Sequence, residues 1–325
     1  MPHAIRFHEA GGPEVLRWEE VEVGAPASGQ VRLRQTAVGL NFIDIYHRTG
    51  LYPVPGFPSG IGLEAAGVVE AVGPDVAELR PGDRVAYASP PIGAYAEVRL
   101  MPADRLVKLP DDIDDRTAAA MMLQGMTAQY LLRRTHRVAP GETILVHAAA
   151  GGVGLILCQW AKHLGATVIG TVGSEEKAAV ARAHGCDHPI LYRTENVVDR
   201  VREITGGAGV PVVYDGVGKD TFASSLDCLA PLGLMVTFGN SSGPVPPVDV
   251  SVLSAKGSLF LTRPTLFTYT AKRADLLASA TDLFDVVRRG AVRIAVNQTY
   301  PLREAAQAHR DLEARRTTGS TVLLP

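Results

Sequence analysis

The densest group of residues that could do chemistry is Ala149-Ala150-Gly151-Gly152-Val153-Gly154. An apolar run, Thr143 to Val146, precedes it, and a helical pattern from Leu155 to Leu164, closed by Gly165, follows. A turn of small residues lets the backbone approach a diphosphate. The N–H groups opening the next helix, with its dipole, favour that negative charge. The spacing departs from G-x-G-x-x-G. Strand, turn, helix and a second apolar run ending at Gly173 are nevertheless all present. Gly151, Gly152 and Val153 are therefore assigned to a bound dinucleotide.

The end of that second run selects the dinucleotide. It reads Thr171-Val172-Gly173-Ser174, with no acid at its tip. In NAD sites a carboxylate there holds the ribose 2′-hydroxyl, and it would repel a 2′-phosphate. Gly173 and Ser174 instead offer N–H and O–H donors, and Lys177, one turn into the next helix, adds a cation. NADPH is the expected cofactor. Glu175 and Glu176 oppose it if they turn inward. As first-turn acids they complement the helix dipole.

Two further stretches carry pocket chemistry. One is Asn41-Phe42-Ile43-Asp44-Ile45-Tyr46. The other is Thr49-Gly50-Leu51-Tyr52-Pro53-Val54-Pro55-Gly56, aromatic and stiffened by proline. Such a loop lines a pocket with little ordering cost. The plainer alternative makes Phe42 and Ile45 core, and Tyr46 and Tyr52 half-buried. His184-Gly185-Cys186-Asp187-His188 holds four metal-ligand types, but its spacing matches no recurrent zinc site. Gly185 and His184 suit a helix end.

These residues need elements to hold them. At 325 residues the chain is expected to contain two domains. Residues 1–123 read as short strands punctuated by Gly and Pro: Ala4 to His8, Val15 to Glu20, Val31 to Val38, Glu64 to Val72 and Ala94 to Leu100. That pattern predicts a small, partly closed β-barrel. Asp114 to Met121 starts a helix.

Residues 124–264 alternate strand and helix, which predicts a doubly wound parallel sheet, an α/β architecture of Rossmann type. After the first βαβ unit come helix Glu175 to Ala183, strand Pro189 to Leu191, helix Val197 to Ile204 and strand Val210 to Asp215. Helix Thr221 to Leu229, strand Leu234 to Phe238 and strand Ser258 to Leu261 complete it. Ligands lie beyond the carboxyl ends of such strands. Gly173, Tyr192, Gly216, Phe238 and Asn240 are therefore placed near one crevice. Tyr192 could stack on adenine, bond the 2′-phosphate, or be a plain surface tyrosine. Residues 265–325 carry helices Arg273 to Arg288 and Leu302 to Ala314 with strands Val292 to Val296 and Thr321 to Leu324. This tail has too little core to stand alone, so it is expected to complete the first domain.

Composition narrows the function classes. The chain is 46% hydrophobic and 20% charged with a net charge of −2, so no electrostatic case exists for nucleic acid or an acidic membrane. Three scattered cysteines exclude a disulfide framework. No apolar run approaches a membrane span and Met1 to Glu20 lacks a signal-peptide core, so a cytoplasmic location is expected. Ser258-Leu259-Phe260-Leu261-Thr262 reads as an apolar outer strand, which predicts a two-fold dimer paired along it.

Taken together, the β-rich start, the Ala-Ala-Gly-Gly-Val-Gly turn and the returning tail resemble the medium-chain dehydrogenase/reductase superfamily. Asn41-Phe42-Ile43-Asp44, Arg48-Thr49-Gly50-Leu51-Tyr52-Pro53, Gly93-Ala94-Tyr95, His147 to Gly154 and Phe238-Gly239-Asn240-Ser241-Ser242-Gly243 resemble its zeta-crystallin-like NADPH:quinone oxidoreductases. The resemblance implies a GroES-like first domain and reduction of a quinone in the cleft between domains. It implies that Asn41 and Tyr52 polarise or orient the substrate, with Tyr46 in the same pocket. Ser241 becomes a cofactor neighbour and Arg263 a cofactor or pocket neighbour.

Zinc-dependent cousins place cysteine where this chain has Asn41, and histidine where it has Leu63. An amide and an alkyl group cannot replace thiolate and imidazole. Metal-assisted alcohol oxidation is therefore disfavoured, and Glu64 alone reads as a structural carboxylate. An alternative is NADPH-dependent reduction of an activated C=C bond. A third reading, permitted by the resemblance, is a crystallin or RNA-binding role, which the absence of a basic stripe disfavours.

Overall fold

The computed structural model describes residues 1–325, which form two compact units. One comprises Met1–Met126, Thr270–Arg288 and Ile294–Pro325; the other comprises Thr127–Tyr269 and Arg289–Arg293. The sequence divides at 123/124 and 264/265 by pattern. The chain passes between units a few residues later, inside the helix Asp115–Tyr130 and just after the helix Leu266–Tyr269.

The second unit holds a six-stranded sheet in which every pairing is parallel. In chain order its strands are Thr143–Val146, Thr167–Val172, His188–Leu191, Val210–Asp215, Leu229–Thr237 and Phe260–Thr262. In space they run third, second, first, fourth, fifth, sixth. This is the Rossmann order, which reverses between the first and fourth strands. The central strands are continuous apolar runs because helices cover both faces. Ile144, Leu145, Val146, Val212, Val213 and Tyr214 are all fully buried.

The sixth strand starts at Phe260, two residues later than the pattern predicts. Ser258 has φ 57°, after Gly257 at φ 109°, and a left-handed pair cannot continue an extended strand. Phe260–Thr262 is an outer strand, with Phe260 60% exposed.

The first unit is built on Gln30–Leu40. That strand pairs with Glu64–Val72 along one side and with Val98–Pro102 and Ser320–Leu324 along the other. Arg84–Ala88, Val107–Lys108 and Val296–Pro301 complete a seven-stranded, partly closed barrel sheet. Arg17–Glu20, His3–Phe7 and Ser59–Gly60 form a small second sheet. Ile5, Phe7, Val31, Leu33, Val69, Val85, Tyr87 and Tyr95 share one core.

Three strands of this unit differ from expectation. Arg17–Glu20 starts two residues after Val15, because Pro13–Val15 forms a 3-10 turn. Val98–Pro102 begins beyond Gly93-Ala94-Tyr95, whose N–H groups instead bond the carbonyls of Gly62 and Ile61 at 2.9–3.1 Å. The tail strand is Val296–Pro301, starting where the pattern ends it; Val296 is in register with Ser320. Within the first unit, Gly39 faces Glu64 in register. A Cβ there would run into the Ala119 carbonyl and the Glu64 carboxyl, so glycine makes room for a buried acid.

Candidate active site

Asn41 ends the long strand Gln30–Leu40 and caps the helix Phe42–Arg48. Its backbone N–H donates to Asp44 Oδ2 at 2.9 Å, the carboxylate half of a capping box. Its side chain also bonds residues outside the helix. Asn41 Nδ2 donates to Glu64 Oε2 at 2.6 Å, and Asn41 Oδ1 accepts from Gln124 Nε2 at 3.1 Å. Asn41 is only 6% exposed, and Glu64 and Asp44 are fully buried.

Tyr46 lies one turn further along the helix. Its ring centroid sits 5.1 Å from that of Tyr52, edge to face. The Tyr52 N–H donates to the Tyr46 carbonyl at 2.9 Å, which ties the loop to the helix end. Gly50, at φ 80°, allows the chain to double back there. The structure thus brings Asn41, Tyr46 and Tyr52 onto one helix and its following turn.

Burial sets the charges. It lifts the Glu64 carboxyl to about 8, against the bonds from Asn41 and Leu123 that favour ionisation. It lifts Asp44 to about 7, against the Asn41 N–H and the Tyr95 hydroxyl. His309 is held down to about 3 by burial and by the neighbouring Arg48 guanidinium. Sequence reasoning assigned no part in the site to Gln124, His309 and Tyr95. It treated Glu64 as solitary, although that residue holds Asn41 directly.

In the second unit the turn after the first strand is tight. Ala148 adopts φ 53°, and Gly151 caps the helix Gly152–His163 in extended conformation. A Cβ at Gly154 would press within 2.9 Å of the Ala149 backbone, so only glycine fits. After the second strand, Ser174 caps the helix Glu175–Ala183, its Oγ accepting from the Lys177 N–H at 3.4 Å. Glu175 and Glu176 are exposed. Gly173 packs under Tyr192, whose hydroxyl would lie 2.7 Å from an added Cβ.

The loops after the fourth and fifth strands touch as well. An added Cβ on Gly216 would meet the Phe238 ring at 3.1 Å, and the Ser241 N–H donates to the Gly216 carbonyl at 3.3 Å. Asn240 lies in the same turn, its carbonyl accepting from the Gly243 N–H at 2.9 Å. Arg263, just past the sixth strand, donates to the Thr237 carbonyl at 3.1 Å. The residues expected at the nucleotide therefore fall into two local groups at the carboxyl ends of the strands. Gly173, Ser174, Lys177 and Tyr192 lie past the second and third strands. Gly216, Phe238, Asn240, Ser241 and Arg263 lie past the fourth to sixth.

A buried network at these strand ends escaped the sequence reading. His147 bridges Thr171 Oγ1 and Ser225 Oγ, both at 2.9 Å. Asp215 accepts from Thr221 at 2.7 Å, Ser225 at 3.1 Å, and the Val217 and Gly218 N–H groups at 2.7 and 3.0 Å. Burial lowers the His147 pKa, with Asp215 opposing it. Three strand ends and a helix are thereby tied behind the glycine turn.

The donor set near Asn41 does not fit a catalytic zinc. Asn41 Nδ2 faces a carboxylate as a donor, and Leu63, 1% exposed, offers no lone pair.

Comparison with known proteins agrees with this architecture. Residues 27–111 match the alcohol dehydrogenase GroES-like domain, and residues 152–279 match the zinc-binding dehydrogenase model. Quinone oxidoreductase of Pseudomonas aeruginosa is 57% identical over 325 residues, covering 100% of both chains. The 2-haloacrylate reductase of Burkholderia sp is 52% identical, covering 100% of this chain and 99% of that one. The crystal structure of Escherichia coli quinone oxidoreductase complexed with NADPH superposes with a TM-score of 0.98 at 50% identity, covering 99% of this chain and 100% of that one.

A GroES-like β unit with a Rossmann unit of this strand order is a medium-chain dehydrogenase/reductase. Within that superfamily the chain belongs to the zeta-crystallin-like quinone oxidoreductase family.

Proposed function

We propose that this chain reduces quinones with NADPH and without zinc, the Rossmann unit holding the cofactor and the GroES-like unit holding the substrate. The observation that carries the reading is Asn41. The position taken by a zinc-binding cysteine in metal-dependent cousins holds an amide bonded to Glu64 and Gln124, one turn from the Tyr46–Tyr52 pair.

NADPH suits the residues present. Gly151, Gly152 and Val153 open a helix whose N–H groups favour a diphosphate. Gly173, Ser174 and Lys177 provide donors and a cation for a 2′-phosphate, with Tyr192 alongside. No acid stands at the strand tip. Gly216, Phe238, Asn240, Ser241 and Arg263 line the nicotinamide end. When bound, the cofactor supplies hydride. The protein's own residues then orient the acceptor: Asn41, Tyr46 and Tyr52 present N–H, O–H and aromatic faces to a flat, oxygen-bearing ring.

Reduction of an activated C=C bond is the second reading, favoured by the 52% identity to 2-haloacrylate reductase. NADPH oxidation assayed in parallel with a naphthoquinone and with 2-chloroacrylate separates the two. The quinone reading requires kcat/KM to be higher for the naphthoquinone, and the reverse order rejects it. The apolar outer strand Phe260–Thr262 supports assembly into a two-fold dimer along that edge, because Phe260 and Leu261 are exposed there. No helix is long and apolar enough to cross a membrane, and a cytoplasmic location accords with the scattered, buried cysteines.

A further inference from the structure

With Glu64 ionised, every bond around the Asn41 side chain has an assignable direction. The Leu123 N–H donates to Glu64 Oε1 at 2.7 Å, and Asn41 Nδ2 donates to Glu64 Oε2 at 2.6 Å. Both carboxyl oxygens are therefore used as acceptors. On the other side, the Ser320 hydroxyl donates to Gln124 Oε1 at 2.7 Å, and Gln124 Nε2 donates to Asn41 Oδ1 at 3.1 Å. With Glu64 ionised the chain runs one way, Ser320 to Gln124 to Asn41 to Glu64; with Glu64 protonated it can reverse, the Ser320 hydroxyl then donating to the Ala120 carbonyl at 2.9 Å. Its members come from different elements of the first unit: the strand Ser320–Leu324, the helix Asp115–Tyr130, the residue before helix Phe42–Arg48, and the strand Glu64–Val72. All four side chains are buried, between 0% and 6% exposed.

An amide has two donor hydrogens and one acceptor oxygen. Asn41 spends its oxygen on Gln124 and one hydrogen on Glu64. One hydrogen on Nδ2 remains.

We propose that Glu64 and Gln124 are positioning residues that lock the Asn41 amide in one of its two flips, so that Asn41 meets the substrate as an N–H donor to a carbonyl-type oxygen. This deepens the proposed function and rests on its placing of Asn41 at the substrate. It specifies the substrate's recognised group. That group is an acceptor oxygen on which negative charge gathers during reduction, as in a quinone or a conjugated carbonyl or carboxylate. The flipped amide would turn a lone pair toward the same oxygen and repel it. An unlocked amide would populate both states and lose part of the donor's effect.

Exchange of the two positions tests this. Glu64→Gln alone lets the chain reverse. The new amide accepts from Leu123 and donates to a flipped Asn41. Asn41 Nδ2 donates to a flipped Gln124, and Gln124 Nε2 donates to Ser320, whose hydroxyl reaches the Ala120 carbonyl at 2.9 Å. Gln124→Glu alone sets a carboxylate against Asn41 Oδ1. Glu64→Gln is therefore expected to lower quinone turnover while keeping the melting temperature near wild type, whereas Gln124→Glu leaves a buried polar clash and is expected to lower both. The full loss of such a donor is on the order of a hundredfold in kcat.

In the combined Glu64→Gln/Gln124→Glu variant every bond can form again with the chain reversed. The new amide at 64 accepts from Leu123 and donates to Asn41 Oδ1. The new carboxylate at 124 accepts from Asn41 Nδ2 and Ser320. The melting temperature should recover to within a few degrees of wild type, following restored pairing. Turnover should stay about a hundredfold down, with NADPH affinity by fluorescence quenching unchanged. Recovery of turnover together with stability overturns the proposal, because pairing alone would then suffice. A combined variant no more stable than Gln124→Glu alone also overturns it, since the directed chain would be wrong. Asn41→Ala is the control. If it keeps wild-type turnover, the substrate role of Asn41 falls and the proposal with it. If it loses turnover while the combined variant keeps it, only the positioning claim fails.

Discussion

The Tyr95 hydroxyl lies 3.1 Å from His309 Nε2, and the proton between them belongs to the histidine. His309 Nδ1 faces an Arg48 N–H at 3.0 Å, and arginine can only donate, so Nδ1 accepts and Nε2 carries the hydrogen. Tyr95 then donates onward to Asp44 Oδ2 at 3.0 Å. Arg48, 1% exposed, also bonds Glu313 at 2.7 Å. This buried row clamps both ends of the helix that carries Tyr46.

His309→Phe is therefore expected to leave a buried guanidinium and hydroxyl short of partners. Losing one member of such a buried charged set costs about 3 kcal/mol. The urea midpoint should fall accordingly, and the KM for quinone should rise as Tyr46 shifts. A stability change under about 0.5 kcal/mol, the range of an ordinary surface substitution, would show that the row is not coupled to the fold.

The buried carboxyls give stability a specific pH dependence. Glu64 moves from 4.5 to about 8, and Asp44 from 3.8 to about 7. A raised carboxyl means that the native state holds more protons than the unfolded chain. The Glu64 contribution is whole below pH 4.5 and fades as pH rises through about 8. His309 acts with the opposite sign: its contribution is whole above pH 6.5 and fades as pH falls toward about 3. Wild type should thus lose stability relative to Glu64→Gln as pH rises across the Glu64 window. Parallel denaturation curves of the two proteins at every pH would contradict the assignment.

Cofactor choice can be reversed at Ser174. Aspartate caps a helix as well as serine does, so Ser174→Asp should leave thermal stability unchanged. Its carboxylate, set where NAD sites keep an acid, should repel the 2′-phosphate. The kcat/KM ratio of NADPH to NADH is expected to fall at least about tenfold, roughly 1.4 kcal/mol. An unchanged ratio would remove Ser174 from the 2′-phosphate site.

The outer strand supports a further expectation. Phe260 is 60% exposed, so Phe260→Lys should fold normally while a charge on the edge blocks pairing with a second copy. Sedimentation velocity at micromolar concentration should show a dimer for wild type and a monomer for the variant. Identical sedimentation of the two would place any assembly elsewhere.

The Rossmann sheet was legible because most of its strands are short apolar runs bounded by turns; the fifth, Leu229–Thr237, starts five residues before the expected Leu234 and runs through Pro231 and Gly233. Glu175–Ala183, Val197–Ile204 and Val210–Asp215 fall where the sequence pattern puts them. Glu64–Val72 and Arg273–Arg288 in the other unit do so too. Val98–Pro102 was misplaced because the preceding Ala94-Tyr95 is apolar, yet its N–H groups serve a loop. The short helix after Asn41 announces itself only through Asp44 three residues on, a capping signal overlooked beside the aromatic residues. Glu64, Gln124 and His309 could not be joined to the site by spacing. They reach it from 23, 83 and, through Arg48, 261 residues away along the chain. Only the folded unit, sheet and helices together, brings such distant polar groups into one buried row.

Chelation tests the central claim most directly. The protein, exhaustively treated with a metal chelator and shown free of zinc by elemental analysis, should oxidise NADPH with a naphthoquinone at the untreated rate. Loss of that turnover, restored by stoichiometric zinc, would contradict a site built on Asn41.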